Sequence, residues 1–407
     1  MKKILIILLL IASHGYAQTK AKELILLGHY QEAISLLEQE NTTDSKRELA
    51  NIYSKIGKSK KALATLKTIS TKMLLDSLTL ARLQVKLGNA KGIISLEELY
   101  QKHPDNLLLG LELAHYYYKK DAFLKASSYY KKLTSKDSTN SYFQYRLGRS
   151  LEKNRSYIPA VKAYRKAIVI DNEAHQSMYH LSNHYMILKE KDSALYFINN
   201  ALIIKPKNIS YLQRKVLILY KNALFNQSIS EAKKIIALDK QNAFAYNSLG
   251  LAFYNKKELD SAISYQIKTI ILSRSNAEYT KNLALIFEAK KDYKRAKTFY
   301  KASIQALEQD VYSQLYHLGL IALQEKKTKK AIAYFTRAYN NNKHFYGSLY
   351  MLALSEESYY KDKTIALKHF EEYLEKFEKS DVEKTAFVKA KIKSLKETLF
   401  FETGKKP

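Results

Sequence analysis

A small residue returns along this chain at nearly one interval: Ala33, Ala62, Gly92, Ala126, Ala160, Ala194, Ser228, Ala262, Ala296, Ala331 and Ala366. From Gly92 onward the step is 34 residues six times and then 35 twice; the first two steps are 29 and 30. A fixed period of this length marks a stack of similar units, each burying its apolar face on the next. The 407 residues therefore report how many units there are, not how many domains. Only 11 Gly and 4 Pro interrupt the chain, which implies units built almost wholly of helix.

The stretch 141–174 shows the unit. Its first half carries Leu147, Gly148 and Leu151, and its second half Ala160, Tyr164 and Ala167. Apolar residues recur at i, i+3/i+4 and i+7 in both halves, so each half reads as a helix. Gly148 has small equivalents at Ala50, Ala81, Ala114, Ser182, Gly250, Ala284, Gly319 and Ala353. A small residue there lets the second helix approach, and Ala160 is the expected partner. Val216 and Ser228 make one unit degenerate. Pro159 falls where a second helix begins, a position that tolerates proline. After the last unit, Val382 to Phe401 reads as a capping helix with Phe387, Val388, Ile392, Leu395 and Leu399 on one side.

The first 17 residues differ in kind. Lys2 and Lys3 precede the short apolar run Ile4–Ala12, and Gly15-Tyr16-Ala17 places small residues at −3 and −1 of a cleavage site. This pattern predicts a signal peptide, export, and a mature start at Gln18. The run is too short to span a bilayer, which takes about 20 residues, and no other stretch is long enough. The expected division is 1–17 signal peptide, 18–378 repeat solenoid and 379–407 capping helix and tail. With no Cys there are no disulfides and no thiol or zinc-finger chemistry. The net charge of +29 favours acidic partners; for an exported chain these are envelope polymers or acidic proteins, and nucleic acid is set aside.

The repeat resembles the tetratricopeptide repeat (TPR). Leu147-Gly148, Leu249-Gly250 and Leu318-Gly319 match its positions 7 and 8. The opening series matches position 20, while Ala167, Ala201 and Ala338 match position 27, and Pro104 and Pro206 position 32. The resemblance runs from about Thr19 to Phe377. Trp is missing from position 4 throughout, and most units lack the position-32 proline. It implies an all-α fold, a right-handed α-solenoid of about eleven helix-turn-helix repeats. The composition, rich in Lys, Ile, Asn and Tyr, resembles that of exported Bacteroidota repeat proteins.

No phosphate loop, dinucleotide fingerprint, nucleophile elbow or HExxH occurs, so no enzyme activity and no cofactor are expected. His180 and His184, spaced i, i+4, could offer two metal ligands or be unrelated, and they lack a third partner. The resemblance instead implies a concave groove lined by positions 2, 5, 9, 12 and 13 of each first helix. Its candidate partner-binding residues here are Tyr145, Arg149, Tyr179, Asn183, Leu217, Asn247, Leu251, Tyr254, Lys281, Leu285, Tyr316 and Tyr350. The leucines either accept an apolar face of a protein or peptide or pack on the neighbouring repeat; the tyrosines are expected to face the groove. No consecutive trio shows the family's two-carboxylate clamp. Lysines recurring in the turns, such as Lys119-Lys120, Lys256-Lys257 and Lys290-Lys291, either form a ridge for acidic lipopolysaccharide or polysaccharide or serve local helix-end roles. The expected function is a periplasmic, or else extracellular, scaffold holding a protein or peptide, with envelope-polymer binding as the alternative.

Overall fold

The computed structural model describes residues 19–273, 276–307 and 310–403, with backbone only for 402 and 403. The expected signal peptide and residues 404–407 lie outside the described residues. Twenty-three helices and no strand occupy the described residues. Two compact units are resolved, divided after His184.

The first unit holds α1 (19–26), α2 (Tyr30–Glu40), α3 (Thr43–Lys55), α4 (Ser59–Lys67), α5 (Leu74–Lys86), α6 (Lys91–Lys102), α7 (Leu107–Lys119), α8 (Phe123–Lys136), α9 (Ser141–Lys153) and α10 (Tyr157–Ile170). The division falls within α11 (His175–Ile187). The second unit continues through α12 (Lys191–Ile204), α13 (Ile209–Lys221), α14 (Phe225–Leu238), α15 (Ala243–Asn255), α16 (Leu259–Leu272) and α17 (Ala277–Ala289). It ends with α18 (Tyr293–Gln305), α19 (Tyr312–Gln324), α20 (Thr328–Asn341), α21 (Tyr346–Tyr359), α22 (Thr364–Phe377) and α23 (Val382–Thr403). In chain order these make eleven first-helix/second-helix pairs and one remaining helix, the all-α repeat architecture that the period implies.

Five of the eleven pairs seat a ring of the second helix at one place. A Cβ built on Gly148 would lie 2.7 Å from the Tyr164 ring, and one on Gly319 would lie 2.5 Å from the Phe335 ring. The nearest neighbour of Gly148 is therefore the ring one turn beyond Ala160, not Ala160 itself as its spacing suggests. The rings at this place, Tyr130, Tyr164, Tyr300, Phe335 and Phe370, are fully buried. Burying each contributes about 1.5–3 kcal/mol. Where the pattern fails, a polar substitute appears. In the degenerate unit Ser228 Oγ donates to the Val216 carbonyl at 3.2 Å. In the next unit the buried Gln266 takes the ring's place, its Nε2 donating to Asn247 Oδ1 (3.2 Å) and to the Tyr279 carbonyl (2.9 Å).

Two kinds of turn set the period. Between first and second helix, in ten of the eleven pairs, one residue adopts the left-handed conformation. Glycine fills it early, at Gly28, Gly57 and Gly88; later it is Asp121, Arg155, Lys189, Ala223, Lys257, Lys291 and Lys326. Between second and first helix, side chains replace the missing proline. Asn140 Nδ2 donates to Asp137 Oδ2 (3.1 Å) and Asn242 Nδ2 to Asp239 Oδ2 (3.0 Å). The same asparagines cap α9 and α15, accepting from the Phe143 and Ala245 amides. At the end of the second unit α23 buries Val388, Leu395 and Leu399 on the α21–α22 core. Phe387, expected on that side, is instead 43% exposed and meets the Tyr350 ring at its edge.

These turns yield a paired prediction. Ala223→Gly relieves a left-handed Cβ and raises stability by about 0.5–1 kcal/mol. Asn242→Ala removes a cap and lowers it by about 1 kcal/mol. Urea midpoints read both, and a fall in the Ala223→Gly midpoint would show that the turn conformation is wrong.

Candidate functional site

In the first unit the first helices α7, α9 and α11 carry a row of half-buried side chains. Leu111, His115 and Tyr118 lie on α7, Tyr145, Arg149 and Glu152 on α9, and Tyr179 and Asn183 on α11. All four candidates of this unit (Tyr145, Arg149, Tyr179 and Asn183) sit in this row. Arg149 donates through Nη1 to the Tyr145 hydroxyl and through Nη2 to the Tyr118 hydroxyl, both at 3.1 Å. Its Nε has no hydrogen-bond partner among the described residues, and no carboxylate pairs with it there. Two of its five donors are thus used, and a permanent charge is held in place by hydroxyls alone.

Arg146, which the sequence reading left out, extends the arrangement. Its Nε donates to the Tyr130 hydroxyl at 3.0 Å, and its guanidinium lies 4.5 Å from the Tyr118 ring centre. Tyr118 therefore receives one arginine on its face and the other at its hydroxyl. His115 Nε2 lies 3.0 Å from the exposed Tyr142 hydroxyl. Burial, and after it the Arg146 charge, hold the His115 imidazole below its ordinary pKa. The row is rich in cation and hydroxyl donors and suits an acceptor-rich partner.

Beside the arginines sits a carboxylate already occupied. Glu152 accepts from the Tyr164 hydroxyl at 2.6 Å, and its oxygens lie 2.9 Å from His180 Nδ1 and 3.7 Å from His184 Nε2. The Tyr164 and His180 rings stack 5.1 Å apart. Burial pushes the Glu152 carboxyl up, but His180, the Tyr164 hydroxyl and His184 outweigh it and hold the pKa at about 2. Burial also raises the Tyr164 hydroxyl, helped by Glu152, and holds His184 below its usual value. The two histidines weighed as metal ligands thus share one carboxylate. Among the described residues no group of three or more His, Cys, Asp or Glu is arranged to hold a metal. The second unit repeats the device, with the Tyr300 hydroxyl 2.6 Å and His317 Nδ1 3.0 Å from Glu288. Its sequence signal was a Glu followed by Tyr at +12 and His 16 or 17 later.

The remaining candidates lie in the second unit. Leu217 and Leu251 are half-buried. Leu285 packs against the core cluster around Phe287 and Tyr300, and Leu320 and Leu354 pack on their own clusters, so the stripe is core on one side and open on the other. Asn247 Oδ1 accepts from Gln266 and from Asn282 Nδ2 (3.0 Å), which commits it internally. Lys281 pairs with Glu278 at 2.7 Å. Tyr254 is half-buried, and burial raises its hydroxyl pKa. Tyr316 and Tyr350, expected to face a groove, are half-buried and pack against aromatic neighbours. Tyr316 meets Phe345 edge-on at 5.1 Å, and Tyr350 lies 5.8 Å from Tyr373. The turn lysines also have local roles. Lys120, Lys256 and Lys290 end helices, Lys257 and Lys291 take the left-handed position, and Lys290 pairs with Asp260.

Residues 315–345 match the family model described as tetratricopeptide repeat. A TPR repeat-containing protein of Methanocaldococcus jannaschii is 33% identical over 124 residues, covering 30% of this chain and 22% of that protein. The chain thus spans about a fifth of the length of the curated relatives it matches. Yeast Tom70 shares the fold at TM-score 0.52 and 15% identity, over 96% of this chain and 97% of its own. A tetratricopeptide repeat protein of Parabacteroides merdae does so at TM-score 0.52 and 15% identity, over 61% and 98%. No helix of the described residues is long and apolar enough to cross a membrane.

The depressed Glu152 carboxyl fixes a pH window. Its contribution is fully present above its unfolded value, near 4.5, and is lost as pH falls toward about 2. Glu152→Gln should cost about 2–3 kcal/mol at pH 7. Denaturation midpoints of both proteins from pH 7 to 3 should converge toward the acid end. A gap that stays constant would mean that the carboxylate charge does not stabilise this unit.

Proposed function

We propose that this chain, which matches the tetratricopeptide-repeat model over residues 315–345, is a non-catalytic scaffold of that kind and holds a protein or peptide partner on the first-helix face of its repeats. Scaffolds of this type mediate protein–protein interactions. The observation that carries the reading here is Arg149, fixed at 3.1 Å by the Tyr118 and Tyr145 hydroxyls and without a carboxylate partner among the described residues. A charge ordered in advance, with donors to spare and tyrosines around it, is what a binding surface needs, since little ordering entropy remains to be lost on association. The half-open Leu217, Leu251 and Leu285 supply apolar contact area in the second unit. Export by the leader 1–17 and a periplasmic role in envelope assembly or secretion complete the proposal, on the strength of the basic start, short apolar run and small cleavage-site residues.

Protein purified from its own cells should begin at Gln18 by N-terminal sequencing; an intact Met1 would overturn export. Tagged full-length protein should retain a protein partner from the envelope fraction at both low and high salt. Arg149→Ala, shown by circular dichroism to stay folded, should weaken that retention about tenfold or more. Equal retention by the variant would remove the first-helix face as the binding surface.

A further inference from the structure

The second helices of the first unit carry a different surface. α8 and α10 flank an open groove of about 1270 Å³ whose floor includes Gln144, Leu147 and Leu151 of α9. The α8 wall is unusually small: Ser127, Ser128, Thr134 and Ser135 line it, and Ala163 faces them from α10. These short side chains leave the space unfilled. At the margins stand Leu124, 69% exposed, and Val169, 87% exposed. Large aliphatic side chains this open beside a groove mark an interaction surface more often than scattered exposure does.

Charge narrows the occupant. Lys131, Lys162, Arg165 and Lys166 rim the groove, and no Asp or Glu lines it. Lys131, Lys162 and Lys166 are exposed, and no ion pair engages them among the described residues. The volume exceeds the roughly 300–1,000 Å³ of ordinary small-ligand pockets. The α8 wall from Leu124 to Ser135 spans twelve residues, about 16 Å or three helical turns. Its lining positions recur at steps of three and four, the spacing with which one helix packs along another.

We propose that this groove is a docking site for an acidic amphipathic helix of about three turns from a protein partner. An apolar stripe lies on Leu147, Leu151 and the α8 serines between Leu124 and Val169, and carboxylates on the helix flanks meet Lys131, Lys162 and Lys166. This surface is separate from the Arg149 row and acts independently of it.

The test uses the full-length protein and two fluorescent synthetic 14-residue helices with one leucine stripe, flanked by Glu in one and by Lys in the other, read by anisotropy. The Glu-flanked helix should bind, and the Lys-flanked helix should bind at least about tenfold more weakly. Lys162→Glu/Lys166→Glu and Leu124→Asp/Val169→Asp, all at exposed positions and checked by circular dichroism, should each lose about tenfold or more, whereas Arg149→Ala should bind the helix as the parent does. Equal affinity for the two helices, or indifference to both groove variants, would overturn the proposal. So would groove-dependent binding to phosphatidylglycerol vesicles without helix binding, or a dimer in ultracentrifugation that Leu124→Asp/Val169→Asp abolishes, since lipid or a second copy would then be the occupant.

Discussion

Where the second helix carries a ring, at Tyr130, Tyr164, Tyr300, Phe335 and Phe370, its seating against a residue with little or no side chain is the contact on which the pair depends. With Gly148 below it, the Tyr164 ring comes so near that even a methyl group would meet it at 2.7 Å. That closeness fixes how the two helices cross and buries the largest side chains of each repeat. It also aims the tip of the ring. The Tyr164 hydroxyl emerges at Glu152, and Tyr130 reaches Arg146 in the same way. The polar row of the first unit is therefore an outgrowth of its core: the rings that close each pair also position the groups that face outward from α9 and α11.

Much of the architecture was legible because its cause is periodic. The small residues at 34-residue steps and the aromatic residues in phase with them report two-helix units without reference to any partner. The contents of the turns were less legible. Proline marks such turns by fixing a dihedral, whereas Asp137 and Asn140 do the work through side-chain hydrogen bonds, which no single residue type announces. The left-handed residue hid for a related reason. Glycine signals it at Gly28, Gly57 and Gly88, but Ala223 and Lys257 adopt it under the constraint of the two helices they join.

The candidate face was legible by position and less so by role. Arg149, Tyr145 and Asn247, chosen by repeat phase, are half-buried residues of first helices. Repeat phase could not show that Asn247 is consumed by Gln266 and Asn282, since that depends on a glutamine replacing a ring one helix away. Nor could it show that Tyr316 leans on Phe345, a residue brought to it by the following repeat. Such roles are set by neighbours 19 to 35 residues distant, and they differ from repeat to repeat.

Those differences bear on how the chain avoids mispairing. Similar units could in principle exchange places, each ring finding an equivalent cradle in a wrong neighbour. The buried amides joining α15, α16 and α17, and the Glu152–His180 contact between α9 and α11, act as keys cut for single locks. A slip by one repeat would leave Gln266 facing a unit that lacks Asn282 and would strand its amide in the core. The irregular polar residues thus give interchangeable parts a serial order.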